Sequence, residues 1–179
     1  SELKNASLEI NQYTQRLEFL HKIDQSILGA ESLLSIVHQI LTELQNLVPY
    51  QLAVVGKYDS QLHVFFGLAM ANSKGVIDVE EESSPLSYSE YFDTNLLKKG
   101  KPQIVNDFQK VNINSPREKE LHSHEMYSSI IFPLIVEQNL FGTLELVSLS
   151  TETITLDEMK IANEISKQLA LSMSQWELR

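Results

Sequence analysis

Two apolar runs joined by three polar residues constrain this chain more than any other feature. Ser128–Val136 sets Ile130, Phe132, Leu134 and Val136 at alternate positions, and Leu140–Leu149 follows directly after Glu137-Gln138-Asn139. A period of two places one set of side chains on one face of a strand. So short a connection returns the chain antiparallel, because a parallel neighbour needs a crossover of a dozen residues or more. Pro133 predicts an edge or a bulge, since proline cannot donate to a ladder. Gly142 inside the second run marks a further irregularity.

Earlier strands fit the same sheet. Gln51–Tyr58 contains Leu52, Ala53, Val54 and Val55, apolar on both faces, which predicts a central strand. After the turn Asp59-Ser60, Leu62–Met70 puts Leu62, Val64, Phe66, Leu68 and Met70 on one face. His63, Phe65, Gly67 and Ala69 then share the other, which is smaller and mixed. Asn72–Ser84, with Glu80-Glu81-Glu82, reads as a solvated acidic loop, Pro102–Val105 as a short strand, and Asn106–Asn114 as a loop.

Helices bracket these strands. Leu3, Ile10 and Leu17 with Ala6, Tyr13, Leu20 and Ile27 form a heptad stripe over the first ~28 residues, broken at Asp24. One narrow stripe asks for one partner, either a helix of another chain or one elsewhere in this chain. From about Ser32 to Val48 a broad apolar arc, Leu33 to Leu47, predicts a helix packed on a sheet or on other helices, and Pro49 follows its end. Ser87–Glu90, Ser115–Glu118 and Thr155–Glu158 have capping-box spacing. They predict a helix to about Lys99 closed by Gly100, a short helix with Pro116 at its first position, and a last helix over about Leu156–Leu178. In that last helix Ala162, Ile165, Leu169, Ser172 and Trp176 repeat the heptad pattern. The order is α-α-β-β-α-β-α-β-β-α, an α+β antiparallel class.

Composition narrows function. The 179 residues carry 14 Lys+Arg against 24 Asp+Glu, a formal charge of −10, and no cysteine. This length is one domain on a scale of roughly 100–200 residues each. The acidic balance disfavours nucleic acid and anionic membrane partners. No apolar run approaches the ~18 residues of a membrane span, and no signal peptide pattern opens the chain, so a cytoplasmic protein is expected. Without cysteine there is no disulfide framework, thiolate metal site or cysteine nucleophile. No G-x-S-x-G elbow, P-loop, G-x-G-x-x-G or H-E-x-x-H occurs, so a regulatory rather than catalytic domain is expected.

Ser129-Ile-Ile-Phe-Pro133-Leu-Ile-Val-Glu-Gln-Asn-Leu-Phe-Gly142-Thr-Leu-Glu-Leu-Val-Ser148 resembles the "S-x-x-x-P-L … G-x-L-x-L" hairpin of the GAF domain family. Gly100-Lys101-Pro102 with Val105-Asn106-Asp107 is similar to that family's "G-K-P-v-x-v-x-D" segment, and Leu156-Asp157-Glu158 opens a helix like its closing helix. The resemblance spans about residues 30–175. It implies a six-stranded antiparallel sheet related to PAS domains, with the first, second and last helices on one face. Two short middle helices and their loops would roof the other face over a ligand pocket. The implied organisation is an N-terminal signalling helix (1–29), a sensor core (30–155) and a C-terminal helix (156–179) leading to an output domain outside this chain.

By position on that roofed face, His63, Phe65, Tyr88, Tyr91, Phe92, Asp107, Arg117, His122, Tyr127 and Ser129 are the pocket candidates. Asp107 could equally cap a turn, and Tyr91 and Phe92 could equally be core. Glu145, mid-strand beside Thr143, is either on an exposed side or paired. Glu118–His122 and Glu120–His124 have helical i,i+4 spacing, but His122 and His124 diverge on a helix, so no metal site is assigned. His21 and His38 read as solvent-facing. Covalent bilin attachment, which in the family uses a cysteine, is excluded. The cyclic-nucleotide signature of the family finds only Asp157-Glu158, which helix N-terminal preference also explains, so that ligand class is disfavoured. The cofactor is otherwise undetermined. The expected function is a small-molecule sensor domain of a multidomain signalling protein such as a two-component system. It would act as a homodimer through a coiled coil of the terminal helices at Leu3, Ile10, Tyr13, Leu17, Leu20, Ile165, Leu169 and Trp176. The alternatives are a ligand-free dimerisation scaffold, or a small-molecule enzyme using His122 or His124.

Overall fold

In a computed structural model the chain is described over residues 1–29, 32–72, 74–78, 93–106, 128–148 and 154–177. The elements are α1 (Glu2–Gly29), α2 (Leu33–Leu47), β1 (Leu52–Asp59), β2 (Val64–Asn72), β3 (Gly75–Asp78), α3 (Thr94–Lys98), β4 (Gln103–Asn106), β5 (Ser128–Val136), β6 (Asn139–Ser148) and α4 (Leu156–Glu177). The six strands form one antiparallel sheet in the order β3-β2-β1-β6-β5-β4.

β1 and β6 are central, and β1 is apolar on two faces as that place requires. The β5–β6 hairpin turns through Glu137 and Gln138 at φ 49° and 68°, the doubly positive geometry that matches strand twist in a two-residue turn. Pro133 is accommodated because the β4 ladder on β5 ends at Gln103 opposite Ile131, and a register shift follows at Leu134/Ile135. Gly142 is required by close approach. A Cβ there would lie 2.0 Å from the Gly56 carbonyl oxygen of β1.

α2 and α4 cover one face of the sheet. Ile36, Val37, Ile40, Leu41 and Leu44 of α2 meet Ala162, Ile165, Leu169, Ala170 and Met173 of α4 over Ala53, Val55, Ile130, Phe132, Leu134, Leu144 and Leu146. At about 1.5–3 kcal/mol for each large buried apolar side chain, this layer is the main source of stability. Caps fix its helices. Ser32 and Ser35 form a reciprocal capping box on α2, and Thr155 and Glu158 do the same for α4. The Tyr50 hydroxyl donates to the Leu41 carbonyl at 3.1 Å beneath α2.

Four expectations are corrected. The acidic stretch after Asn72 is not all loop, because Gly75–Asp78 pairs with Ala69–Asn72 as an edge strand. Its four residues are too few to show a periodicity. The third helix starts at Thr94, not Ser87; Asp93 is its extended N-cap and accepts from Asn95 and Leu96. Ser87 and Glu90, like the Ser115–Glu118 box, lie outside the described residues. Gly100 closes this helix as expected, at φ 83°, with Gly100 N–H to Leu97 and Lys101 N–H to Leu96 in a Schellman pattern. The alternation expected along β2 fails at a bulge. Val55 and Gly56 pair with Ala69 and Gly67, leaving Leu68 as the extra residue. Phe65 and Gly67 therefore keep one face while Ala69 and Ala71 cross to the helical one.

The fourth correction concerns the terminal helices. Ile165 and Leu169 are 1% and 0% exposed, and Trp176 packs on the same core. The α4 heptad is thus the stripe that covers the sheet, with Ile165 and Leu169 wholly buried there and Trp176 partly so. α1 lies against α2 and α4 through Leu20, which packs on the core, an Arg16–Glu164 ion pair and a Lys22–Glu43 pair at 3.5 Å.

Gly142→Ala is expected to destabilise the domain by about 1–3 kcal/mol, because backbone must move to admit the methyl group; urea unfolding measures it. Burial pushes the Tyr50 hydroxyl from its ordinary value of 10.0 up to about 12. Since the folded value lies above the unfolded one, its contribution is complete below about pH 10 and is lost as pH rises towards 12. Comparing unfolding of wild type and Tyr50→Phe between pH 8 and 12 should show a gap that closes with rising pH.

Candidate functional site

The sheet face opposite α2 and α4 is built by the other half of each strand. β1 contributes Val54, β2 contributes Phe65, β5 contributes Ser129 and Ile131, and β6 contributes Thr143, Glu145 and Val147. Direct ladder partners share a face, and the register sets Val54 opposite Glu145, Glu145 opposite Ile131, and Ser129 opposite Val147. At one end Phe65, Leu97 and Ile131 form a small second core against which Tyr58 and Leu140 pack. The Tyr58 and Phe65 rings meet at 4.9 Å, and the Lys98 ammonium sits 5.7 Å from the Tyr58 ring centroid. α3 holds Leu97 over this end, and the Schellman turn at Gly100 directs the chain into β4.

The centre of the face is polar. Ser129, Thr143 and Glu145 are 1%, 0% and 0% exposed, as buried as the apolar core. The Ser129 hydroxyl donates to Glu145 Oε1 at 2.8 Å. A carboxyl group withdrawn from water is costly unless hydrogen bonds replace its hydration, so Ser129 is part of what makes Glu145 tolerable there. With four or so acceptor positions on a carboxylate, this site is rich in acceptors and walled by Val54, Ile131 and Val147.

Three of the residues predicted from sequence can be placed. Ser129 lies at the centre of this face. Phe65 lies at its end, in contact with Leu97 and Ile131. His63 does not share the face. It ends the β1–β2 turn rather than entering the strand, with φ 56°, an exposed ring, and Nδ1 3.1 Å from the Tyr58 hydroxyl. Asp59 holds that turn by accepting from Gln61 and Leu62 N–H at 2.9 Å each, and so delays the start of β2 to Val64. Tyr88, Tyr91, Phe92, Asp107, Arg117, His122 and Tyr127 lie outside the described residues, as does His124. Among the described residues no cluster of His, Asp and Glu could hold a metal ion. Sequence reasoning left Glu145 undecided and did not single out Thr143, Ile131 or Leu97. The available signal was an acid and a threonine at alternate positions within a strand whose intervening residues, Leu144 and Leu146, are core.

A model of the GAF domain family matches residues 30–174, and the chain belongs to that family. The GAF domain of a phosphoenolpyruvate-protein phosphotransferase from Coxiella burnetii shares the fold at a TM-score of 0.71 and 17% identity, over 92% of this chain and 96% of that one. The GAF domain of a two-component sensor histidine kinase from Bacillus halodurans does so at 0.67 and 16%, over 83% and 98%. A phycoerythrobilin-bound GAF domain from a cyanobacterial phytochrome gives 0.64 and 18%, over 91% and 96%. This is therefore a fold found in sensor and signalling proteins. No curated protein sequence matches the chain. Among the described residues no helix is long and apolar enough to cross a membrane.

Ser129→Ala removes one donor to a buried carboxyl group and is expected to lower stability by about 1–3 kcal/mol. Thermal unfolding beside the exposed control Ser60→Ala checks this. Equal melting temperatures would mean that the hydroxyl has no part in holding Glu145.

Proposed function

We propose that this chain is the regulatory sensor domain of a larger cytoplasmic signal-transduction protein, and that it binds a small molecule on the sheet face around Ser129 and Glu145. The observation that carries the reading is the buried Ser129–Glu145 pair, with Thr143 beside it, among the apolar walls of Val54, Ile131 and Val147. Stability alone is served as well by apolar side chains of similar volume. A few polar groups set among apolar walls are the usual make-up of a small-molecule site. A bilin here would be bound without a covalent link, because the chain has no cysteine.

Transmission has a direct route in this reading. On β6, Glu145 faces the proposed ligand while Leu144 and Leu146 face α4. A ligand that prefers one placement of β5 and β6 shifts the packing of α4 by its differential affinity for the two states. The domain itself is regulatory, and the chemistry belongs to an output domain outside this chain.

The test is native mass spectrometry of protein purified from its own host type, under gentle and then denaturing conditions. A mass that is lost on denaturation and reduced in Glu145→Gln would support the reading. Protein with no added mass, and with a melting temperature unmoved by a panel of metabolites, would favour a ligand-free scaffold instead.

A further inference from the structure

We propose that the cleft between the β1–β2 turn and the β5–β6 turn is a binding site for a small organic anion, a carboxylate or phosphate head on an aromatic or apolar body. The site lies at the end of the sheet, apart from the face around Ser129 and Glu145. It holds whether or not that face takes a ligand.

The cleft opens where the two hairpins part. The ladder between the central strands ends at Lys57 opposite Gly142, yet β1 continues to Asp59 and β6 begins at Asn139. Each hairpin meanwhile stays paired to its own tip, Asp59 with Val64 and Val136 with Asn139. The second hairpin carries a register shift at Leu134/Ile135, and a bulge bends its strand. Between the tips lies a cavity of about 520 Å³, the size of an ordinary small-molecule site.

Both tips keep side chains where glycine would be easier. His63, Glu137 and Gln138 have φ of 56°, 49° and 68°, and they are the non-glycine residues with positive φ among the described residues. Glycine takes such a conformation at no steric cost, so a side chain retained there points to a use for it. His63 and Gln138 both line the cleft, and Ser60 and Asn139 add a hydroxyl and an amide.

Charge gives the class of occupant. In a chain of formal charge −10 this cleft gathers positive charge and donors. Lys98, in the last turn of α3, lines it, with its ammonium 5.7 Å from the Tyr58 ring centroid. The Nδ1 of His63 lies 3.1 Å from the Tyr58 hydroxyl. When that hydroxyl donates, the ring proton sits on Nε2, a second donor. Among the described residues that line the cleft, Glu177 of α4 is the one carboxylate, and Lys57 stands 3.9 Å from it. Tyr58, Leu140 and Phe141 supply the apolar wall. A cationic ligand would meet Lys98. A neutral apolar one would strip water from these donors and return nothing. An anionic head beside a flat body satisfies both the donors and the wall. Glu177 also brings the last turn of α4 to the rim, so an occupant meets that helix directly.

The test is an amide NMR titration of the 179-residue chain with phenyl phosphate, with benzoate and, as the neutral analogue, with benzyl alcohol. At least one anion should bind saturably, with shifts centred on residues 60–64, Lys98 and residues 138–141. The tighter of the two names the head group. Lys98→Gln should raise its Kd roughly fivefold or more, because a charged donor is lost. Glu177→Gln, which takes a negative charge from the rim, should lower it. His63→Asn removes the imidazole while keeping a residue that tolerates left-handed backbone, and it should weaken binding. Lys74→Gln alters an exposed lysine in the β2–β3 turn, at the other end of the sheet, and should change nothing. All four positions are exposed, and the amide spectrum confirms that each variant folds. No saturable binding of either anion, equal affinity for benzyl alcohol, a Lys98→Gln variant that binds like wild type, or shifts centred on Ser129 and Glu145 would each overturn the proposal.

Discussion

The close passage of β1 and β6 at Gly56 and Gly142 sets the geometry on which both halves of the domain rely. With no side chain at Gly142, the two central strands approach until the Gly56 carbonyl occupies the space a Cβ would need. The register that follows aligns Val54 with Glu145 and Val55 with Leu144. The Val55–Leu144 pair then points into the helical core and the Val54–Glu145 pair into the opposite face. The same ladder thus supplies an apolar floor for α2 and α4 and a polar centre for the second face. A slip of one residue would exchange Glu145 with Leu144 or Leu146. It would set a carboxyl group under α4, which the core could not accommodate without partners.

Such two-sidedness explains which parts of the structure the sequence discloses. The hairpin of β5 and β6, the central place of β1 and the helical layer are all legible, because each has an apolar period that only one arrangement satisfies. β3 is not, since four residues at a sheet edge need neither a core face nor a turn signal to pair. The β2 bulge is equally silent. Leu68 and Ala69 are both apolar, and nothing in their identity says that one of them is extra. His63 is displaced for a different reason: it continues the alternation on paper but ends a turn fixed by Asp59. Ser129 is legible through its place in the hairpin. Glu145 was ambiguous because a carboxyl group in a strand has two solutions, water or a buried donor, and only the cross-strand register reveals Ser129 beside it.

The two heptads at the ends of the chain carry a related lesson. Their spacing is alike, and spacing alone assigns both to a coiled coil. Their surroundings separate them. In α4 Ala162 and Ser172 of the stripe, and Ser166 and Ala170 beside it, are small and buried, so the helix can lie close on the sheet, and its stripe is consumed there. The Ser166 and Ser172 hydroxyls satisfy themselves on the carbonyls of Asn163 and Gln168, which lets a serine stand in the packed face. In α1 the positions beside the stripe are longer and polar: Gln12, Arg16, Lys22. Among the described residues, Arg16 and Lys22 tie the helix to its neighbours by ion pairs, beside the packing of Leu20 on the core.

Ion pairs of half-exposed side chains contribute little, about 0–1 kcal/mol each, and that magnitude has a consequence for how a state could move through the domain. α4 is bound to the sheet by many fully buried apolar side chains, so a shift of β5 or β6 must carry it along or empty part of the core. Among the described residues, α1 is held by Leu20 and two ion pairs. A rearrangement that begins on the Glu145 face therefore passes rigidly into α4. It reaches α1 through the Arg16–Glu164 pair, which joins the two helices.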